Sequence, residues 1–278
     1  MHESRNRSRT LELRTGSLDG SVSMVRHLDE IALDGVDVVL CDLDGCLVAG
    51  DHVFDGVDAL FRRAGERLHI VSNNSADTAE TLCERLAALG VDILPDRVWL
   101  AGEQTIRHVA RTLPRASVSI YGALPLRALA AQLGLRFGAP RPDIVVLARD
   151  EEFNIKRLAQ ILAELDGGAR LIVTNADASH PGIDGRPIPE TGALLAAVRA
   201  CLPDLDYTVF GKPAAALARL ALERAGVEAS RALFVGDNPE TDGAVAAALG
   251  MPFAHVVRGV SRGASASFAT TQMAEARS

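Results

Sequence analysis

Short apolar runs alternate with segments of helical period along almost the whole chain. The runs are rich in β-branched and aliphatic residues and show little alternation of apolar and polar positions, which is typical of strands buried on both faces of a sheet. They occupy residues 36–41, 68–71, 117–121, 143–147, 170–174, 207–210 and 232–236. Apolar runs separated by helical segments form parallel βα units, so the pattern predicts an α/β fold.

The segments between these runs carry apolar residues at the spacing of one helix face, and we expect each face to pack into the core. The clearest stripes are Val57/Leu60/Phe61/Ala64, Ile106/Val109/Ala110/Leu113, Leu126/Leu129/Ala130/Leu133 and Ile155/Leu158/Ala159/Leu162. No internal repeat or long low-complexity linker marks a domain boundary. From Gly259 onward the chain has the composition of a polar tail.

Composition narrows the class of protein. The chain has 278 residues with 29 Lys and Arg against 36 Asp and Glu, a formal net charge of −7, which argues against a nucleic-acid partner. A hydrophobic fraction of 48% is ordinary for a globular protein. The length suits one large domain or two.

Cysteine usage and hydropathy indicate a compartment. The four cysteines form no C-x-x-C pair and have no histidines at zinc-ligand spacing, so we expect reduced thiols. No apolar run approaches the roughly 18 residues of a membrane helix, and no apolar segment follows the Arg-containing start. We therefore expect a cytoplasmic protein without a membrane partner, and we interpret the first residues as a frayed terminus.

Acidic residues follow two of the predicted strands. Asp42 and Asp44 come directly after the first run, and their spacing of two places both side chains on the same side of an extended chain. Asp237 and Asp242 follow the last run. Ligands of open α/β sheets bind beyond the carboxyl ends of the strands, so these are site positions. An Asp-Gly turn or a helix N-cap explains single carboxylates but not four of them.

Two other predicted strands end in polar residues that complement the acidic ones. Ser72, Asn73, Asn74 and Ser75 follow the second run, and their side chains and amides can donate to phosphoryl oxygens. Lys212 follows the sixth run. Taken alone, the first segment is more typical of a loop that begins a helix, and the second of a surface lysine. Mg²⁺ takes carboxylate and phosphate oxygens, so the four strand ends together indicate a site for Mg²⁺ and phosphate.

Four segments in order resemble the motifs of the haloacid dehalogenase-like (HAD) hydrolase superfamily. They are DLDGC at 42–46, SNNS at 72–75, GKP at 211–213 and GDNPETD at 236–242. The stretch between the second and third resembles the large cap of the 4-nitrophenylphosphatase and phosphoglycolate phosphatase-like branch. The resemblance implies a Rossmann-like parallel-sheet core domain with an inserted α/β cap domain.

This resemblance also implies domain limits. We expect an N-terminal tail and lead-in over residues 1–34, the first part of the core over 35–115, the cap over 116–203, the second part of the core over 204–260 and a C-terminal tail over 261–278.

The resemblance further implies a role for each motif residue. Asp42 is the nucleophile that forms an aspartyl-phosphate, and Asp44 is the general acid and base. Mg²⁺ is held by the Asp42 carboxylate, the Asp44 backbone carbonyl and Asp237. Lys212 and Ser72 are catalytic, and Asp242 and Asn238 are supporting. Residues that bind phosphate or substrate are Gly45, Ser72, Asn73, Asn74, Asn175 and Asp177.

Asp44 must be protonated near neutrality to act as an acid. This requires a pKa well above the value of about 3.9 for a free Asp. The neighbouring negative charge of Asp42 and partial burial both raise the pKa of a carboxyl, so we expect an upward shift.

Two cap residues are expected to face the core. Asn175 and Asp177 follow a buried cap strand and match the T-N-x-D segment of the branch; an Asx turn at the strand end is the alternative interpretation. His180 is expected to be incidental, because the sequence shows no partner for it. The scattered other histidines argue against a hydrolase triad or a zinc site.

The leading hypothesis is a Mg²⁺-dependent phosphatase acting on a small phosphorylated metabolite. Phosphoryl transfer between sugar positions in the same fold stays open. A non-catalytic HAD-fold binding protein is disfavoured because the motif residues are intact. Carbon–halogen hydrolysis needs neither Asp44 as proton donor nor a metal-binding Asp237, and a D-x-D glycosyltransferase does not need Lys212 in its GKP setting. The branch also implies a homodimer formed through the cap.

Overall fold

The computed structural model describes residues 21–182 and 186–257. Its larger sheet has six parallel strands in the order β1-β14-β13-β2-β5-β6. In that order the strands are β1 (Val22–Val25), β14 (Phe253–Val256), β13 (Ala232–Gly236), β2 (Val38–Cys41), β5 (Leu68–Ser72) and β6 (Val98–Leu100). This parallel sheet confirms the predicted Rossmann-like core.

A second, smaller parallel sheet has the strand order β12-β9-β8-β7. Its strands, in chain order, are β7 (Val118–Tyr121), β8 (Ile144–Leu147), β9 (Arg170–Val173) and β12 (Tyr207–Val209). The segment that carries these strands lies between β6 and β13 in the chain, so it is the inserted α/β cap that the sequence predicts.

Eight α-helices of the described residues connect and cover the two sheets. They are α1 (Val57–Ala64), α2 (Ala79–Ala88), α3 (Ala101–Thr112), α4 (Leu124–Gln132), α5 (Ile155–Asp166), α6 (Thr191–Cys201), α7 (Ala216–Ala225) and α8 (Ala244–Leu249). No helix of this part of the chain is long and apolar enough to cross a bilayer.

Two short antiparallel hairpins project from the sheets. The first joins β3 (Val48–Ala49) to β4 (His52–Val53) just after the end of β2. The second joins β10 (Ser179–Pro181) to β11 (Pro187–Pro189) in the cap. Each hairpin follows a strand whose carboxyl end faces the space between the sheets.

Two predicted domain limits are wrong. Residues 204–260 were assigned to the core, but β12 pairs with β9 in register Tyr207 with Leu171, so the cap extends through Val209. Residues 1–34 were assigned to a tail and lead-in, but β1 pairs with β14 as the edge strand of the core. An apolar run does not state which sheet it joins, since pairing depends on partners far away in the chain. The tail predicted over 261–278 lies outside the described residues.

The predicted helix faces are confirmed in α1 and α3, where Val57, Leu60, Ile106 and Val109 are buried. In α5 the predicted stripe is confirmed only in part. Leu158 and Leu162 pack against the cap core, but Ile155 is 79% exposed, whereas Ile161 and Leu165 are buried there. This segment carries two overlapping apolar stripes, and packing against β8 and α6 favours the later one.

The central strands explain where the site lies. β2 and β13 are buried along their whole length, as expected for parallel strands covered on both faces. Val38–Cys41 pairs with Ala232–Val235, and Val39–Cys41 pairs with Leu68–Ile70. The carboxyl ends of β2, β13 and β5 therefore lie side by side. All four cysteines are reduced thiols, as predicted.

Candidate active site

The carboxyl ends of the central strands open into a cavity of about 660 Å³ between core and cap. Most of the predicted site residues line it: Asp42, Asp44, Ser72, Asn73, Asn74, Asp177, Lys212, Asp237 and Asn238. Asn175, Gly45 and Asp242 do not line the cavity, although each contacts a residue that does. The fold thus brings the four motifs together, as the resemblance implies.

Lys212 is the central cation of this cluster. Its Nζ donates to Oδ1 of Asp42 at 2.6 Å and to Oδ1 of Asp242 at 2.7 Å, and the side chain is only 2% exposed. Burial lowers the pKa of an ammonium, but here the charges of Asp242 and Asp42 outweigh it and raise the pKa of Lys212. The ammonium therefore stays charged between two carboxylates, and the interpretation of Lys212 as a surface lysine is wrong.

Asp242 is wholly buried behind the cavity wall. Burial and the charge of Asp42 raise the pKa of its carboxyl, while Lys212 opposes them. Oδ2 of Asp242 accepts from the backbone N–H of Asn238 at 3.2 Å, so both of its oxygens are engaged. This arrangement matches the supporting role expected for Asp242, which orients Lys212.

Glycines permit the close approach of these carboxylates. Gly45 has φ +82°, and a Cβ there would lie 2.3 Å from Oδ2 of Asp237. A Cβ on Gly236 would lie 2.1 Å from Oδ2 of Asp242. The Gly45 amide, which belonged to the predicted phosphate-binding set, donates to the Val48 carbonyl at 2.8 Å. Because Gly45 has no Cβ, it leaves room for the side chain of Asp237.

One group of carboxylates fits a divalent cation. Asp42, Asp237 and Asp242 each offer an oxygen within 4.8 Å of the others. These are the hard ligands that Mg²⁺ prefers, and Asp42 and Asp237 also line the cavity. Asp42 and Asp237 are therefore the side chains that would hold the ion. The side chain of Asp44 lies outside this group, and its backbone carbonyl as a ligand stays a prediction.

Asp44 has the perturbed acidity that an acid catalyst needs. Burial, followed by the charge of Asp42, raises the pKa of Asp44 to about 6. The expected upward shift is thus confirmed, and its larger cause is burial. A carboxyl of this pKa exchanges a proton near neutral pH, which suits alternating acid and base roles.

The loop after β5 is held by its own side chains. Asn73 accepts from the Lys212 N–H at 2.7 Å and donates to the Lys212 carbonyl at 3.0 Å, so it positions the lysine segment. Asn74 accepts from the N–H groups of Ala76 and Asp77, which closes a turn. Ser72 accepts from the Asn74 N–H at 3.0 Å, and its hydroxyl proton is then available for a phosphoryl oxygen.

The two predicted cap residues have different positions. Asp177 lines the cavity and accepts from Asn73 Nδ2 at 2.9 Å, and burial raises the pKa of its carboxyl. Asn175 is wholly buried and donates to the Asn73 carbonyl at 2.9 Å and to Ser75 Oγ at 3.1 Å. It also accepts from the Asp177 N–H, which makes the Asx turn of the alternative interpretation. Asn175 therefore joins cap to core rather than facing the cavity.

The expectation for His180 is wrong. His180 lines the cavity, and its Nδ1 lies 2.8 Å from Oε1 of Glu190, whose hydrogen bond raises the pKa of the imidazole. Glu190, Arg149 and Arg85 also line the cavity, and the sequence motifs do not include them. In the sequence, prolines stand on both sides of residues 183–185, which is typical of a hairpin. Such a hairpin brings His180 back toward Glu190.

Two family profiles match the chain. Residues 39–136 match one described as haloacid dehalogenase-like hydrolase, and residues 209–275 match one described as HAD-hydrolase-like. Together they include both acidic motifs, the loop after β5 and Lys212.

Individual proteins are also similar. Chronophin of Mus musculus is 33% identical over 73% of this chain and 75% of its own length. The acid sugar phosphatase of Staphylococcus aureus is 31% identical over 80% of this chain and 86% of its own length. The crystal structure of 4-nitrophenylphosphatase from Thermotoga maritima superimposes with a TM-score of 0.75 at 27% identity, covering 84% of this chain and 89% of that one.

We expect Lys212→Met to lower the free energy of unfolding by about 3–5 kcal/mol, because it leaves two buried carboxylates without their shared cation. Adding Asp242→Asn should recover part of the loss. Urea denaturation at pH 7.5 measures both effects. The control is Arg231→Met, which breaks an exposed ion pair with Asp37 and should cost far less. Equal losses in the two single variants would contradict a buried electrostatic role for Lys212.

We expect Asp44→Asn to stabilise the protein above pH 6. The raised pKa means that the folded state binds more protons than the unfolded state between about pH 4 and 6, so ionising Asp44 costs stability in that window. The gain should reach about 3 kcal/mol at pH 7.5 and vanish near pH 4. Denaturation in chelator across this range measures it. Asp51→Asn, in the exposed turn of the adjacent hairpin, serves as the control, and a pH-independent gain would refute the assignment.

Proposed function

We propose that this chain, which belongs to the haloacid dehalogenase-like hydrolase family, is a Mg²⁺-dependent phosphatase that hydrolyses small phosphate monoesters through an aspartyl-phosphate. It is a HAD-type phosphoric monoester hydrolase. The observation that carries the proposal is the position of Asp42, whose carboxylate lines the cavity and is held at Oδ1 by Lys212 Nζ at 2.6 Å.

In the first step, a carboxylate oxygen of Asp42 attacks phosphorus in line with the ester oxygen. The bond from phosphorus to the ester oxygen breaks, and protonated Asp44 gives its proton to the departing oxygen. Because Lys212 holds Oδ1, the other carboxylate oxygen is the one directed to phosphorus. The lysine thus fixes the orientation of the nucleophile.

In the second step, Asp44 is a carboxylate and removes a proton from a water molecule. The water oxygen attacks phosphorus and the bond to Asp42 breaks, which releases inorganic phosphate and restores both aspartates. A pKa of about 6 lets Asp44 carry the proton in one step and lack it in the next. When bound to Asp42 and Asp237, Mg²⁺ supplies positive charge that offsets the anionic phosphate.

The required acceleration explains why the cap belongs to the site. Hydrolysis of a phosphate monoester can require an acceleration of about 10²¹-fold. A general acid supplies about 10²- to 10⁴-fold, which corresponds to about 3–5 kcal/mol of the barrier. Correct positioning of the reactants supplies more, about 7–11 kcal/mol. Cap residues from Asp177 to His180 line the same cavity as Asp42. The cap thus helps to enclose the ester at the nucleophile.

The chemistry of the cavity wall favours a small polar ester. Within the described part of the chain, the wall contains no Phe, Tyr or Trp and no Val, Leu, Ile or Met. Two of the similar proteins are named acid sugar phosphatase and 4-nitrophenylphosphatase. Of these two kinds of ester, the polar wall supports the sugar type.

We expect purified protein with Mg²⁺ to release phosphate from at least one ester in a panel of sugar, glycolate, pyridoxal, nucleotide and aryl phosphates. Asp42→Asn should lower kcat at least about 10³-fold, because the amide is not a nucleophile, and chelator should have a comparable effect. The control is Asp37→Asn at the other end of β2, which should keep activity. No release from any ester, or equal release by Asp42→Asn, would refute the proposed function.

A further inference from the structure

Three charged cap residues form a cluster on the cavity wall, which we call the cap cluster: Arg149, His180 and Glu190. They come from three separate segments. Arg149 lies in the loop after β8, His180 lies on β10, and Glu190 directly precedes α6. None belongs to the four motifs, and the steps proposed above do not use them.

Glu190 is the centre of the cap cluster. Its Oε1 lies 2.8 Å from His180 Nδ1 and 3.7 Å from Arg149 Nη1, and its side chain is only 13% exposed. The hydrogen bond to Glu190 favours the protonated form of His180. A single carboxylate is therefore held between an imidazole and a guanidinium.

The backbone around Glu190 is hydrogen-bonded to cap residues that line the cavity. Its N–H donates to the Ala178 carbonyl at 3.0 Å, and the N–H of Gly192 donates to the Asp177 carbonyl at 2.8 Å. A Cβ on Gly192 would lie 2.2 Å from the Ala176 carbonyl, so α6 begins in direct contact with this segment. A carboxylate anchored in this way keeps its position when a ligand binds.

Arg149 is fixed to the core as well. Its backbone N–H donates to Ser75 Oγ at 3.1 Å, in the loop that follows β5. Its guanidinium also lies 3.2 Å from Glu151, which is 81% exposed and is not on the cavity wall. The guanidinium of Arg149 thus lies at the cavity, and its backbone is hydrogen-bonded to the loop after β5.

The cap cluster faces the leaving-group side of the site. Asp44 and the cap cluster line the same cavity, Asp44 from the core and the cap cluster from the cap. Since Asp44 is the residue that protonates the departing oxygen, the atoms attached to that oxygen lie toward these side chains. The cap cluster is therefore placed to contact the leaving group, not the phosphate.

The chemistry of the cap cluster selects among leaving groups. A hydroxyl both donates and accepts, so it can pair with the Glu190 carboxylate and with a cationic donor at once. A second anion meets the charge of Glu190, and an alkyl or aryl group leaves these polar atoms without partners, which is unfavourable.

We propose that the cap cluster is a specificity subsite in which Glu190 accepts a hydrogen bond from a hydroxyl of the leaving group. The enzyme would then select polyol and sugar monophosphates over alkyl or aryl phosphates. Arg149 is a positioning residue that orients Glu190 and donates to the same hydroxyl. This inference rests on the proposed phosphatase function.

The test compares two esters that differ only in hydroxyls, glycerol 3-phosphate and n-propyl phosphate. We expect wild-type kcat/KM to favour the glycerol ester at least about tenfold, since hydrogen bonds to charged groups are stronger than those between neutral groups. Glu190→Ala should remove most of this preference by loss of the glycerol ester, with kcat/KM for propyl phosphate within about threefold of wild type. Glu190→Gln, of the same shape, should retain part of the preference.

Glu151→Ala is the matched control, because it also removes a carboxylate beside Arg149 but not one on the cavity wall. It should keep the wild-type preference, whereas Arg149→Met should reduce it. Unchanged preference in Glu190→Ala with propyl phosphate still hydrolysed overturns the subsite and leaves the phosphatase intact. Absence of hydrolysis of every ester by wild type overturns the proposed function itself. A variant that loses both activities is checked by thermal unfolding, and Glu190→Gln then decides the question.

Discussion

The buried ammonium of Lys212 is the interaction on which the rest of the site depends. Adjacent parallel strands bring their carboxyl ends together, and here they bring Asp42, Asp237 and Asp242 within 4.8 Å. Like charges this close repel strongly where water is excluded. Lys212 contacts two of them directly and so permits a fold that the acidic residues alone would oppose. Glycines at 45 and 236 then give these carboxylates the space that they occupy.

Closure of the cap and positioning of the nucleophile use the same small set of hydrogen bonds. Asn73 holds the backbone of Lys212 on both sides and also donates to Asp177 of the cap. Its own carbonyl accepts from Asn175, another cap residue. These hydrogen bonds connect the cap to Lys212, and Lys212 connects them to Asp42. One asparagine thus contacts both the segment that encloses the ester and the segment that orients the nucleophile.

Features that depend on local sequence could be predicted, whereas features that depend on residues distant in the chain could not. Each of the seven predicted apolar runs matches a strand, and the convergence of Asp42, Ser72 and Asp237 follows from the rule that parallel strands share a carboxyl edge. The raised pKa of Asp44 follows from its neighbour and its burial. In contrast, the return of β12 to the cap sheet and the pairing of β1 depend on partners distant in sequence, and no local pattern encodes them.

The cap cluster could not be predicted from local sequence either, because its three residues come from separate segments of the cap. The proposed specificity therefore lies in the cap and not at the strand ends of the core. The nucleophile Asp42 and the acid Asp44 follow the core strand β2, and Lys212 follows β12 where the chain returns from the cap to the core, so their chemistry is common to any chain that keeps those strand ends. Arg149, His180 and Glu190 lie on loops and a hairpin, which tolerate substitution because they carry little of the core packing. A change there alters the wall that meets the leaving group without moving Asp42 or Lys212. The division of the molecule into core and cap therefore separates reaction from recognition, and hydrogen bonds of Asn73 and Ser75 to cap residues join the two.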